Sequence, residues 1–393
     1  MSVNWENIRH EQFPALKNLT YLAAASSSPM LKCVYEKSME YYNEMLNYGD
    51  QHHELFFVHN DINRKLIAEY INANPDEITF MINTSTCLHT IAHLFEDKVG
   101  EILYPSIEFP ASVHTFKRMG YPTKKIPHTH NKYLIENFEK YLTENTKYIV
   151  HSHVQSFNGY RQNLEKLGKF CSANNLISII NATQSFGGFQ IDVKKQNIDI
   201  LLCSCLKLPA CGFGIGILYI KDELIQENKL PFTSWLSVEN AFDMDNENLR
   251  VIQKARAMDS MGGCPNFAAL YGLEGSFNLI KNEIGGGSIQ NGIRLVEDRI
   301  KLLTTEFLNE IEQFDFKLIT PTELEYRSGI ITVEHEKSKK IHRFLSKNNV
   351  YVSLKKYPNA EKETLIRFAF SYYNNEIDIL RTIDLLKLAF HKI

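Results

Sequence analysis

Between residues 80 and 220 the chain alternates short, apolar, β-branched runs with stretches of helical periodicity, and this alternation constrains the fold more than any other feature. The runs fall at 77–82, 101–104, 148–153, 177–180, 198–203 and 216–220. Strands apolar at nearly every position are buried on both faces, and strands separated by helices pair in parallel. The expected architecture is therefore α/β, a large domain with a mostly parallel central sheet. From about residue 266 the pattern changes to long amphipathic helices at 267–280 and 290–314. Strand-like 330–333, 350–354 and 365–370 follow, with helices at 337–348 and from Glu376, which reads as a smaller α+β C-terminal domain. The expected division is an N-terminal segment 1–20, a large domain 21–265 and a small domain 266–393. Gly285, Gly286 and Gly287 follow a helical pattern rather than a strand, so they read as a helix stop and not a phosphate loop.

A chain of 393 residues, 44% hydrophobic and 23% charged, can bury a large core. Its formal charge of -3 and its lack of a basic block give no support to nucleic-acid binding, which leaves a small-molecule ligand as the expectation. No segment approaches the roughly 18 apolar residues of a membrane span, and the first residues lack the basic and apolar regions of a secretory signal, so a cytoplasmic protein is expected. The seven cysteines are scattered and odd in number, which argues for reduced thiols. Cys203, Cys205 and Cys211 lack the paired spacing of a zinc site, and His151 with His153 lacks a third ligand, so no metal is expected.

Three places carry chemistry. At Asn83-Thr84-Ser85-Thr86 a strand gives way to a helix whose apolar positions are Leu88, Ile91, Ala92 and Phe95, so hydroxyls and free N–H groups gather at a helix N-terminus. Thr84, Ser85 and Thr86 form either an ordinary cap or an anion cradle. Phe109 follows the strand at 101–104, at the sheet end where α/β proteins bind ligands, and serves either as core or as a ring that stacks on a planar ligand. Lys207 lies between the strand at 198–203 and the turn Gly212-Phe213-Gly214-Ile215-Gly216. Desolvation there would favour the neutral amine, the form that attacks an aldehyde to give a Schiff base.

Taken together, several segments resemble the class V aminotransferase family of pyridoxal 5'-phosphate (PLP) enzymes of fold type I, nearly end to end. That family includes cysteine desulfurases and proteins similar to isopenicillin N epimerase. Asn181-Ala182-Thr183-Gln184-Ser185 resembles the family's D-A-x-Q-S. Ser204-Cys205-Leu206-Lys207 with the following glycine turn resembles S-x-H-K and G-x-G. Gly263-Cys264-Pro265-Asn266 resembles G-T-P-N, and the segment from Arg367 to Asn374 resembles R-x-S-x-x-x-Y-N. The resemblance implies PLP held as a Schiff base by Lys207, with Phe109 on the ring face. It implies Gln184 and Ser156 at the ring oxygen, and Ser85, Thr86 and Ser204 at the phosphate. Arg367 would clamp a substrate carboxylate, and a homodimer would share its sites through the Cys264 segment.

The departures bear on the reaction. Asn181 stands where the family has an acid that keeps the pyridine nitrogen protonated; losing an opposite charge removes a bias of about 1–3 pKa units. A neutral ring is a poorer electron sink, which disfavours transamination more than β-elimination or epimerisation. Leu206 replaces a histidine, Cys264 replaces a phosphate-binding threonine, and no cysteine follows Cys264 to serve as a desulfurase nucleophile. The expectation is a PLP enzyme acting on the α-amino group of an amino acid. Transamination, lyase or epimerase chemistry, and a catalytically impaired PLP-binding partner protein, stay open; cysteine desulfurase is not expected.

Overall fold

The computed structural model describes residues 3–392. Its centre is a seven-stranded sheet of β1 (Ile78–Met81), β2 (Glu101–Pro105), β3 (Thr123–Ile126), β4 (Thr146–Ser152), β5 (Ile177–Asn181), β6 (Ile200–Ser204) and β7 (Gly216–Ile220). The spatial order is β1-β7-β6-β5-β4-β2-β3. Every neighbouring pair is parallel except those made by β7, which runs antiparallel to both β1 and β6. The expected α/β fold with a mostly parallel sheet is thus what forms. β7 reverses because a short turn, not a helix, connects it to β6, and that turn carries Lys207. The edge strand β3 was not anticipated: with sequence Thr-Lys-Lys-Ile it is only partly buried and lacks an apolar run.

The continuous apolar runs are explained by the two cores they feed. Ile78, Leu103, Ile149, Ile180, Leu201 and Ile217 face one core; Met81, Ile102, Val150, Ile179, Leu202 and Leu218 face the other. Helix Thr84–Leu94 covers the second face with Cys87, Leu88 and Ile91, as its periodicity predicted.

A second sheet, of four antiparallel strands, contains β8 (Lys317–Leu318), β9 (Ile330–Glu334), β10 (Ser353–Lys355) and β11 (Leu365–Ala369) in the order β10-β11-β9-β8. Helix Ile289–Ile311 joins the two halves: Ile293, Val296 and Ile300 enter the first core, while Leu303, Phe307 and Ile311 enter the core beneath the small sheet. Helix Phe267–Asn278 also packs into the first core through Leu270, Leu273 and Phe277, so shared packing crosses the boundary expected at 265/266. Gly285, Gly286 and Gly287 end the helical stretch as a turn, after a π-helical segment at Leu279–Ile284. Among the described residues no helix is long and apolar enough to cross a membrane.

Candidate active site

The C-terminal ends of β1, β2, β4, β5 and β6 open onto one cleft of about 570 Å³, the position where parallel sheets present their loops to ligands. Thr84 and Ser85 come from the end of β1, Phe109 from β2, Ser156 from β4, Gln184 from β5, and Ser204 with Lys207 from β6. Lys355 and Arg367, from β10 and β11, close the opposite wall. Two backbone features hold the Lys207 turn in place. Ala210, at φ +54°, donates its N–H to the Lys207 carbonyl, a left-handed conformation unusual for alanine. At Gly216 a Cβ atom would come 2.9 Å from the Asn83 backbone, so only glycine lets β7 lie against the loop that starts the Thr84 helix.

Lys207 is partly buried at the cleft and its amine makes no hydrogen bond among the described residues. Burial first, then the charges of Arg367 and Lys355, lower its pKa to about 7. The nucleophilic free amine is then well populated at neutral pH.

Arg367 is 4% exposed and has no carboxylate partner among the described residues. It donates through Nη1 to the Ser156 carbonyl at 2.6 Å and through Nη2 to Ser26 Oγ at 3.0 Å, while its Nε–H is unpaired. Burial lowers its pKa to about 10, so it stays charged. A buried, uncompensated guanidinium is a strong attractor for a carboxylate.

Asn181 lies beneath the cleft, 4% exposed, with both ends of its amide engaged. Its Oδ1 accepts the Thr183 N–H at 3.1 Å and its Nδ2 donates to Ser112 Oγ at 2.9 Å, which fixes the amide orientation and leaves one Nδ2 hydrogen free. Gln184 donates to the Ala25 carbonyl at 3.0 Å, tying the segment around Ser26 to the site. Ala25 and Ser26 also line the cleft, whereas Trp235 lines a separate hollow with residues 238–250.

The hydroxyls at the Thr84 helix divide into two groups. Thr84 gives its N–H to Ser204 Oγ at 2.8 Å, and its own hydroxyl meets Ser204 Oγ at 2.6 Å and Thr183 Oγ1 at 3.0 Å. Thr86 is engaged with Asn83: its N–H donates to Asn83 Oδ1, and its hydroxyl donates to the Asn83 carbonyl and accepts the Asn83 N–H. Thr86 therefore forms a cap and does not line the cleft, whereas Ser85 stays exposed to it. Cys264 is exposed and lies outside this chain's cleft. His153 bonds Ser185 Oγ at 2.9 Å, and burial drives its pKa down to about 3, so it is a neutral packing group.

Two cleft residues escaped the sequence reading. Glu108 accepts from the Phe109 N–H at 2.8 Å, the Ser152 N–H at 2.7 Å, the Ser152 hydroxyl and Gln155 Nε2 at 2.9 Å, so its carboxylate builds the turn that presents Phe109. Lys355 shares a strand face with Ser353, which pairs across the ladder with Arg367. The signal for it was strand alternation, usable only once that register is known.

The aromatic face of Phe109, 48% exposed, shares the cleft with the unpartnered Lys207 amine and a helix N-terminus, a combination that suits a planar phosphorylated aldehyde. The comparisons agree. The uncharacterized aminotransferase YcbU of Bacillus subtilis is 24% identical over 95% of each chain. A probable cysteine desulfurase of Borreliella burgdorferi is 28% identical over 92% of this chain and 90% of its own. The apo structure of a cysteine desulfurase from Thermococcus onnurineus NA1 superposes with a TM-score of 0.87 at 20% identity, covering 100% of this chain and 99% of that one. The family model described as aminotransferase class-V matches residues 20–381, and the chain therefore belongs to the class V aminotransferase family, with pyridoxal 5'-phosphate as its cofactor.

Proposed function

We propose that the chain acts on the α-amino group of an amino acid, with Lys207 as the covalent anchor of the cofactor and as the base that moves the proton at Cα. The observation that carries this reading is the pairing, across one cleft, of a Lys207 amine with pKa lowered to about 7 and a buried Arg367 that lacks a counter-ion among the described residues. When bound, pyridoxal phosphate supplies an aldehyde for amine capture and a conjugated ring that accepts electron density from Cα. The chain's own groups do the rest. Phe109 would stack on the ring, Gln184 and Ser156 would face the ring oxygen, and Thr84, Ser85 and Ser204 would hold the phosphate. Arg367 would hold the substrate carboxylate, which would turn the α-amino group toward the cofactor carbon that Lys207 engages and the Cα proton toward the Lys207 amine. The expected large unit, 21–265, supplies the floor and the expected small unit, 266–393, supplies the Arg367 wall. We also propose a homodimer in which Cys264 reaches the partner's cleft; Tyr35, Tyr42, Leu46 and Tyr48, exposed on helix Lys32–Tyr48, offer an apolar face for it.

Within the family we favour lyase or epimerase chemistry over transamination. Asn181 is held so that it offers an N–H, and no carboxylate, on the side of the cleft floor next to Ser112, which suits an unprotonated pyridine nitrogen. Relatives named cysteine desulfurase keep that activity within the family; against it here, the cleft is lined by no cysteine. The test is borohydride reduction of the cofactor-loaded protein, with Lys207→Ala as control, followed by product analysis with a panel of amino acids. A reduced adduct confined to Lys207 supports the reading, and its absence overturns it. Elimination releases a 2-oxo acid with ammonia, transamination gives the 2-oxo acid without ammonia, and epimerisation exchanges the α-proton without net conversion.

A further inference from the structure

We propose that Lys355 and Arg367 together recognise an amino acid with an acidic side chain, Arg367 taking the α-carboxylate and Lys355 the second anionic group. This rests on the reading of the cleft as an amino-acid site and adds the class of side chain. The strand register carries it. Ser353 pairs with Arg367 and Lys355 with Leu365 across the β10–β11 ladder, so alternation puts Ser353, Lys355 and Arg367 on one face of the small sheet. Lys355 is thereby the diagonal neighbour of Arg367, a separation of about 7–8 Å that long side chains bridge. Both line the cleft that holds Lys207.

Charge balance gives the second argument. Three cationic side chains, Lys207, Lys355 and Arg367, line this cleft with one carboxylate, Glu108, whose oxygens already accept from Phe109, Ser152 and Gln155. Of the carboxylates near β10, Glu334 is engaged with Lys317 and Tyr357, and Glu363 with Lys339. Lys355 has no ion pair among the described residues. Its residue is exposed, yet partial burial of the amine, and after it the Arg367 charge, lower its pKa. Once the α-carboxylate neutralises Arg367, Lys355 is left facing substrate without an anion.

The test is spectroscopic titration of the cofactor-loaded protein with L-aspartate and L-cysteate against their neutral counterparts L-asparagine and L-alanine. The acidic ligands should bind about tenfold more tightly, the scale of one charge-assisted hydrogen bond. Lys355→Met should abolish that preference and Lys355→Arg should restore it. Calorimetry of maleate against acetate on cofactor-free protein provides a readout independent of PLP, in which Lys355→Met should weaken maleate selectively. Equal binding of aspartate and asparagine, a preference that survives Lys355→Met, or a variant that only loses cofactor retention would each overturn the proposal, the last by assigning Lys355 to the phosphate. Failure of the amino-acid reading itself looks different: no amino acid of any charge would perturb the spectrum.

Discussion

The floor and the wall of the cleft treat polar groups in opposite ways. On the floor, built by the ends of β1, β2, β4, β5 and β6, Thr84, Thr183 and Ser204 bond one another, Asn181 is engaged with Thr183 and Ser112, and Glu108 with Phe109, Ser152 and Gln155, so that apart from Lys207 these polar groups have internal partners. On the wall, built by β10 and β11, Arg367 and Lys355 lack carboxylate partners, and Arg367 Nε lacks any partner, among the described residues. A satisfied network is rigid and gains little from a ligand, whereas an unpaired buried cation is a standing electrostatic demand that the right anion meets. The floor therefore shapes the cofactor's seat, and the wall selects what reacts.

The largest test of this contrast is Arg367→Met. Losing the charged partner of a buried carboxylate should weaken amino-acid binding by roughly 2–5 kcal/mol, measured by spectroscopic titration. The thermal midpoint of the cofactor-free protein should hold or rise, because an uncompensated buried charge is gone. A large drop in that midpoint would place Arg367 with the floor as a structural residue.

Glu108→Ala should do the reverse. It removes the acceptor of four hydrogen bonds, from the Phe109 N–H, the Ser152 N–H and hydroxyl, and Gln155 Nε2, and should lower unfolding free energy by at least about 3 kcal/mol in denaturant titration. Stability unchanged within error would show that the floor is not the satisfied network described.

The third test uses pH. Lys207 has a folded-state pKa of about 7 against an ordinary value of 10.5, so between these values the unfolded chain binds the extra proton. Stability of the cofactor-free protein should therefore rise with pH across that window, the penalty being complete below about 7. In Lys207→Met that slope should be missing, and comparison of thermal midpoints from pH 7 upward isolates it. In Arg367→Met the Lys207 pKa should move up, because one of its causes is removed. The smallest effect is Ser112→Ala, which takes one bond from Asn181 and should cost about 1 kcal/mol in the same denaturant titration.

Much of the floor was legible in the sequence because it rests on local rules. Apolar strand runs, the helix start at Thr84 and the glycine turn after Lys207 each depend on neighbours in the chain. Thr86 shows the limit of such rules. Its hydroxyl fits a phosphate cradle and a capping box equally well in sequence, and only the geometry engages it with Asn83. Cys264 shows another limit, since family position says nothing about which cleft a single chain's segment reaches.

By itself the sequence determined a mostly parallel α/β sheet and the placing of Lys207, Phe109 and Gln184 at strand ends, because burial periodicity and turn chemistry are local. Arg367 it supplied as a motif. Tertiary structure decided that Arg367 is buried without an anion, that Lys355 stands diagonally beside it, and that Asn181 is turned to donate. Those properties come from the register of a sheet closed by residues far apart in the chain and from the dielectric of a cleft assembled from both halves. Neither exists until the chain has folded.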